Sequence, residues 1–172
     1  MARFFIPLLL LLSTILLLLV QCTCTWRWPI WGVRLELLPA LLLYAAFTLN
    51  LSAALIVALV AAIMYDSFSG GHFGASMLPY VLSTALFCGV RPIFFRNSII
   101  TRFLAGLALG FIALFLQWAF AGKFAIGLEH VLPRLGHLAV LTGFLAIIYF
   151  TGLDLFCRLV GVDPGRFEEE RP

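Results

Sequence analysis

An all-α, polytopic integral membrane protein is the fold class that this sequence demands. Of its 172 residues, 63% are hydrophobic and 11% charged, against roughly a quarter charged in an average soluble domain. The apolar residues gather in long runs of the length a helix needs to cross a hydrocarbon core of about 30 Å. Tryptophan and arginine collect between the runs, where interfacial anchors belong. A soluble chain this apolar would expose large contiguous hydrophobic patches and aggregate, so lipid has to cover that surface. In lipid every backbone polar group must be satisfied within the protein, which leaves helices as the reading of the runs.

The first run covers 4–20 and is Leu-rich after a single Arg3. A cleaved signal peptide is the competing reading, but the run exceeds a typical signal core and Gln21-Cys22 lacks a small residue before a cleavage point. A retained first span is therefore expected. Residues 21–36 follow, with Trp26, Trp28 and Trp31 beside Arg27 and Arg34, and read as an interfacial belt.

Residues 37–65 are apolar for 29 residues, ~43 Å as one helix. Asn50 and Ser52 stand at the middle, where an unpaired amide in lipid is costly, so two short spans, 37–49 and 51–65, are expected around a turn at Asn50. A polar, glycine-rich stretch, 66–74, leads to a span over 75–90 in which Pro79 would kink the start. Residues 99–121 and 138–156 complete a set of about six spans, or five if 37–65 is unbroken. A short cytoplasmic tail, 157–172, carries Glu168, Glu169 and Glu170, and the chain forms one membrane domain.

Basic residues favour the cytoplasmic side. Six spans with both ends inside leave Arg27, Arg34, Lys123 and Arg134 outside and the other seven inside; five spans give eight inside and three outside. Both counts keep Arg91, Arg96, Arg102 and the tail cytoplasmic and put Asp66 at the outer end of its helix. The net charge of +3 has no basic stripe suited to nucleic acid. Cys88 and Cys157 fall within apolar runs and read as small hydrophobes, while Cys22 and Cys24 could pair or bind metal on an oxidising side, although a one-residue spacing with no nearby His or second pair is a weak metal signal.

The most distinctive stretch is Asp66, Ser67, Phe68, Ser69, Gly70, Gly71, His72, Phe73, Gly74. A carboxylate at membrane depth needs a partner. His72 or Arg134 could be that partner, or the carboxylate could accept bonds from Ser67, Ser69 or loop N–H groups and cap the next helix. Gly70, Gly71 and Gly74 permit a tight re-entry into the membrane. One Asp and one His without a nucleophile do not make an acid–base or hydrolytic centre, so no enzyme and no cofactor is expected. Glu129, His130 and His137 around Pro133 and Arg134 read as an interfacial loop, and Asp154 pairs with Arg158 at the ordinary helical spacing. Ala54, Ala58 and Ala62, and Gly106 and Gly110, form small-residue faces that let helices approach, within the chain or against a partner.

The Leu-rich first helix, the paired short helices around Asn50, and Ile63-Met64-Tyr65-Asp66 leading through Phe68 to Phe73-Gly74 and Leu78 resemble the rod shape-determining MreD family. The glycine often found just before the Asp in that family is absent here. The resemblance implies a non-enzymatic scaffold of the bacterial cell-elongation complex in the cytoplasmic membrane, supporting peptidoglycan synthesis and cell shape. The implied partners are membrane lipid, MreC, MreB, RodA and a class B penicillin-binding protein. Asp66, Gly70, Gly71, Gly74, Pro79 and Asn50 are the structural or partner-binding candidates. The family's helical arrangement is similar to the substrate-binding subunits of energy-coupled vitamin transporters. That likeness supplies the alternative function, a small-molecule binder that would need polar residues such as Asn50, Gln117 and Thr142 within the spans.

Overall fold

The computed structural model describes residues 2–23, 36–69, 74–91, 98–120 and 128–160. Among them are six helices: α1 (Ala2–Thr23), α2 (Leu38–Thr48), α3 (Leu51–Ser69), α4 (Met77–Val90), α5 (Ile99–Phe120) and α6 (Leu128–Leu159). Three stretches, Leu51–Phe68, Ile99–Phe120 and Leu135–Leu159, are long and apolar enough to cross a membrane by themselves. The other helices contribute shorter apolar stretches, Leu8–Gln21, Leu38–Thr48 and Met77–Val90.

The break expected at Asn50 is present. Leu49 turns extended (φ −96°, ψ 162°) after its N–H closes α2 on the Ala45 carbonyl, and the Asn50 carbonyl accepts the first bond of α3, from Ala54. In the last turn of α2, Thr48 is buried and donates its hydroxyl to the Tyr44 carbonyl at 2.7 Å. Arg91, just beyond α4, donates to the carbonyls of Leu49 (2.9 Å) and Ala46 (3.5 Å). A guanidinium there satisfies carbonyls left without helical partners and suits the negative end of the helix.

α2 is the centre of the molecule. Every one of its residues is buried, and it packs on each of the other five helices. Its sequence, LPALLLYAAFT, is apolar all round, and such a helix is stable only inside other helices. α1 turns Leu10, Thr14 and Leu18 inward at four-residue spacing and packs on α3 and α2. Ala54, Ala58 and Ala62 are fully buried within the chain, which places that small face in the interior.

α5 and α6 share the most extensive helix contact. A methyl group on Gly106 would sit 2.7 Å from Cβ of Ala146 and 3.0 Å from Cα of Gly143, and one on Gly110 would strike Thr142 at 2.8 Å. The Gly106 and Gly110 face is therefore also an internal contact, made by close backbone approach.

Three expectations need correction. α3 continues past Tyr65 through Asp66 to Ser69, and the Asp66 carboxylate is buried against the start of α4. Pro79 lies in the first turn of α4 and starts that helix; its missing N–H has no intrahelical acceptor to lose there. α6 begins at Leu128, so Glu129, His130, Pro133, Arg134 and His137 belong to a helix and not to a loop. Their polarity hid a helical extension that hydropathy alone cannot show.

Candidate functional site

Polar side chains in the described residues gather at two levels. One is where α3 ends and α4 begins, the other where α5 begins and α6 ends.

At the first, Asp66 is buried, 4% exposed. Its Oδ2 accepts the N–H of Gly74 at 2.9 Å and of Ser76 at 3.2 Å. Ser76 is the cap position of α4 and offers no capping bond from its own side chain. A carboxylate lent by α3 thus satisfies backbone donors at the start of α4 and places negative charge at that helix's positive end. Of the alternatives open for Asp66, bonds from loop N–H groups are present, and the side chain of Ser69 lies outside the described residues. His72, the side chain of Arg134, Gly70 and Gly71 lie outside the described residues. Gly74 has φ +92° and a Cβ there would meet nothing, so glycine is required for backbone conformation and not for space.

The residue beside Asp66 opens a second group that sequence reasoning did not single out. Tyr65 and Tyr80 donate to the two carboxylate oxygens of Glu36, at 3.5 and 3.3 Å, and their rings meet edge to face at 5.8 Å. The side chain of Gln117 on α5 also bonds Tyr80. Glu36 immediately precedes α2, and burial pushes its carboxyl up to about 7 against the opposing pull of the Tyr80 and Tyr65 hydroxyls. The signal available in the sequence was chemical: tyrosines inside apolar helices need acceptors, and Glu36 is an acid at the edge of an apolar run.

At the second level Arg102 of α5 pairs with Asp154 of α6 (Nη2 to Oδ2, 3.1 Å), with side chains 14% and 17% exposed. Tyr44 of α2 donates to the other carboxylate oxygen at 3.2 Å. The Arg102 guanidinium lies 5.3 Å from the ring centre of Phe150, which packs edge to face on Tyr44 at 5.0 Å. This corrects the expected pairing of Asp154 with Arg158. A cation from a neighbouring helix reaches the carboxylate inside the bundle, where an ion pair is screened less than on the exposed flank occupied by Arg158. Ser13 and Tyr149, with oxygens 2.7 Å apart, add a tie between α1 and α6.

Asn50 is exposed in its turn and contributes its backbone carbonyl. Pro79 is buried, one residue before the Tyr80 that reaches Glu36. Among the described residues no group of three His, Cys, Asp or Glu converges as metal ligands.

Apolar outer faces around polar groups that tie neighbouring helices together fit a helical membrane protein. Residues 2–160, nearly the whole chain, match the family of rod shape-determining protein MreD, and the chain belongs to that family. The family is one of shape-determining membrane proteins and is not a known enzyme family. No curated protein and no solved structure matches the chain.

Proposed function

We propose that the chain is a non-enzymatic scaffold subunit of the bacterial cell-elongation complex, a single six-span domain of the cytoplasmic membrane with both ends inside. In that role it holds MreC, MreB, RodA and a class B penicillin-binding protein together and so supports peptidoglycan synthesis and cell shape. Family membership carries the reading. The two polar levels support it, because a scaffold must keep its helices in fixed relation while partners pull on them. With α1 leaving the cytoplasm, Asp66 and Glu36 fall at the outer level, and Arg91, Arg102 and Asp154 at the inner one, in keeping with the bias of basic residues towards the cytoplasm.

The alternative of a vitamin-binding subunit would require polar side chains free to meet a ligand. Asn50 stands in an exposed turn, Gln117 bonds Tyr80, and Thr142 bonds the Leu138 carbonyl and packs on Gly110. Asn50 is thus turned to the outside, and Thr142 is already engaged within the bundle.

A mild-detergent pull-down of the tagged protein from its native membrane, with co-purifying proteins identified by mass spectrometry, tests the proposal. Recovery of MreC or wall-synthesis enzymes is expected; an ATPase pair with a coupling subunit would replace the scaffold by a transporter. Asp66→Ala is expected to reduce that recovery and rod shape while membrane insertion persists, and unchanged recovery and shape would remove Asp66 from the site.

A further inference from the structure

The helices do not present equal apolar heights to the surroundings. The exposed row of α4 is Leu78, Leu82, Leu86 and Val90, at strict four-residue spacing, and it rises only ~18 Å. On α5 the exposed apolar residues run from Ile100 to Phe120, and on α6, beyond the exposed His137, from Val140 to Leu159, ~30 Å in each case. Even held upright, the α4 row falls more than 10 Å short of a hydrocarbon core of about 30 Å.

The polar ends of that row are fixed. Ser76 and the Gly74 turn are held by Asp66 at one end. At the other, Arg91 is pinned to the carbonyls that finish α2, a buried helix of 11 residues, ~16 Å long. An arginine can ordinarily carry its charge to the headgroups by extending its side chain. Here that movement would break the 2.9 Å bond to the Leu49 carbonyl and uncap α2. Arg102 poses no such constraint, since it turns inward to Asp154 while Ile99 and Ile100 continue the outer face below it.

We infer that the protein thins the bilayer along its α4 face, drawing headgroups and water in towards Arg91 at one end of the row and the Gly74 turn at the other, while the α5 and α6 faces meet a bilayer of ordinary thickness. A helix face shorter than the hydrocarbon is accommodated by local thinning at modest cost per ångström. The occupant of this face is lipid in a thinned arrangement, and the inference rests on the reading of α4 as a membrane span.

The test is a depth measurement on the full chain, alone in phosphatidylcholine vesicles, so that it does not depend on scaffold partners. Spin labels are attached at Leu78→Cys, Leu82→Cys, Leu86→Cys and Val90→Cys, and on α5 at Leu104→Cys, Phe111→Cys and Phe115→Cys, in a background without native cysteines. Accessibility to oxygen and to a polar nickel reagent gives depth. Labels at 78 and 90 are expected at headgroup depth, with only 82 and 86 in the hydrocarbon and all three α5 labels there. Oxygen-rich, nickel-poor environments at all four α4 positions would overturn the inference, as would shielding of all four from both reagents, which would mean that protein covers the face. The unlabelled native chain provides a second reading: its melting temperature should peak in lipids with shorter acyl chains than eighteen carbons, and a peak at longer chains would count against thinning.

Discussion

The two polar levels of this molecule solve one problem by different means. Where α3 hands over to α4, carboxylates bind neutral donors: Asp66 takes two backbone N–H groups and Glu36 takes two tyrosine hydroxyls. Where α5 begins and α6 ends, a carboxylate binds a full cation, with Tyr44 and the Phe150 ring completing its surroundings. The first arrangement shapes a turn, and burial raises the Glu36 carboxyl within it; the second welds three helices together and depends on both charges. Mutations should therefore fail differently at the two levels.

The largest effect is expected at the ion pair. Arg102→Ala would leave Asp154 partly buried without its cation, a change that costs about 3–5 kcal/mol when one partner of a buried pair is removed. The double variant Arg102→Leu, Asp154→Leu should recover most of that loss, because apolar residues of similar volume carry no desolvation penalty. Urea or thermal unfolding in detergent reads both. A double variant as unstable as Arg102→Ala would show that Tyr44, and not the charge pair, carries the joint.

Asp66→Ala comes next, at about 2–4 kcal/mol, since an unsatisfied buried group costs about 1–3 kcal/mol and, of the two donors that lose their acceptor, the Ser76 N–H is buried and the Gly74 N–H only partly so. Asp66→Asn keeps one oxygen able to accept and should recover more than half. Equal losses for Ala and Asn would mean that the negative charge at the start of α4, and not the two bonds, is what matters.

Glu36 sharpens the contrast through pH. Its folded value of about 7 stands above the ordinary 4.5, so the folded protein binds this proton more tightly than the unfolded chain. The contribution is fully present below pH 4.5, falls as pH rises from 4.5 to 7, and is gone above that window. Glu36→Gln should flatten the melting temperature across pH 4.5–7 and raise stability near pH 8 by on the order of 1–3 kcal/mol. A Gln variant that keeps the full slope would assign it to another group.

Much of this was legible beforehand because hydropathy and turn chemistry act locally. The break at Asn50, the role of Gly74 and the capping alternative for Asp66 all follow from residues within ten positions of one another. The ion pair was not legible: Arg102 and Asp154 are 52 positions apart, and the nearer Arg158 offered a plausible local partner. Glu36 was overlooked for a similar reason, its donors standing 29 and 44 positions away. The helical start of α6 was hidden because Glu129, Arg134 and His137 end the apolar run without ending the helix.

The smallest effect isolates backbone from packing. Gly74 sits at φ +92° with open space where a Cβ would point, so Gly74→Ala should cost only the conformational strain of an L-residue there, about 1–2 kcal/mol. The same change at Gly106 meets Ala146 at 2.7 Å and the backbone of α6 at 3.0 Å, and the helices must separate to admit it. Thermal unfolding of the two variants compares a strained turn with a broken contact. If Gly74→Ala proved the more damaging, the turn that Asp66 holds would be worth more to the fold than the contact between α5 and α6.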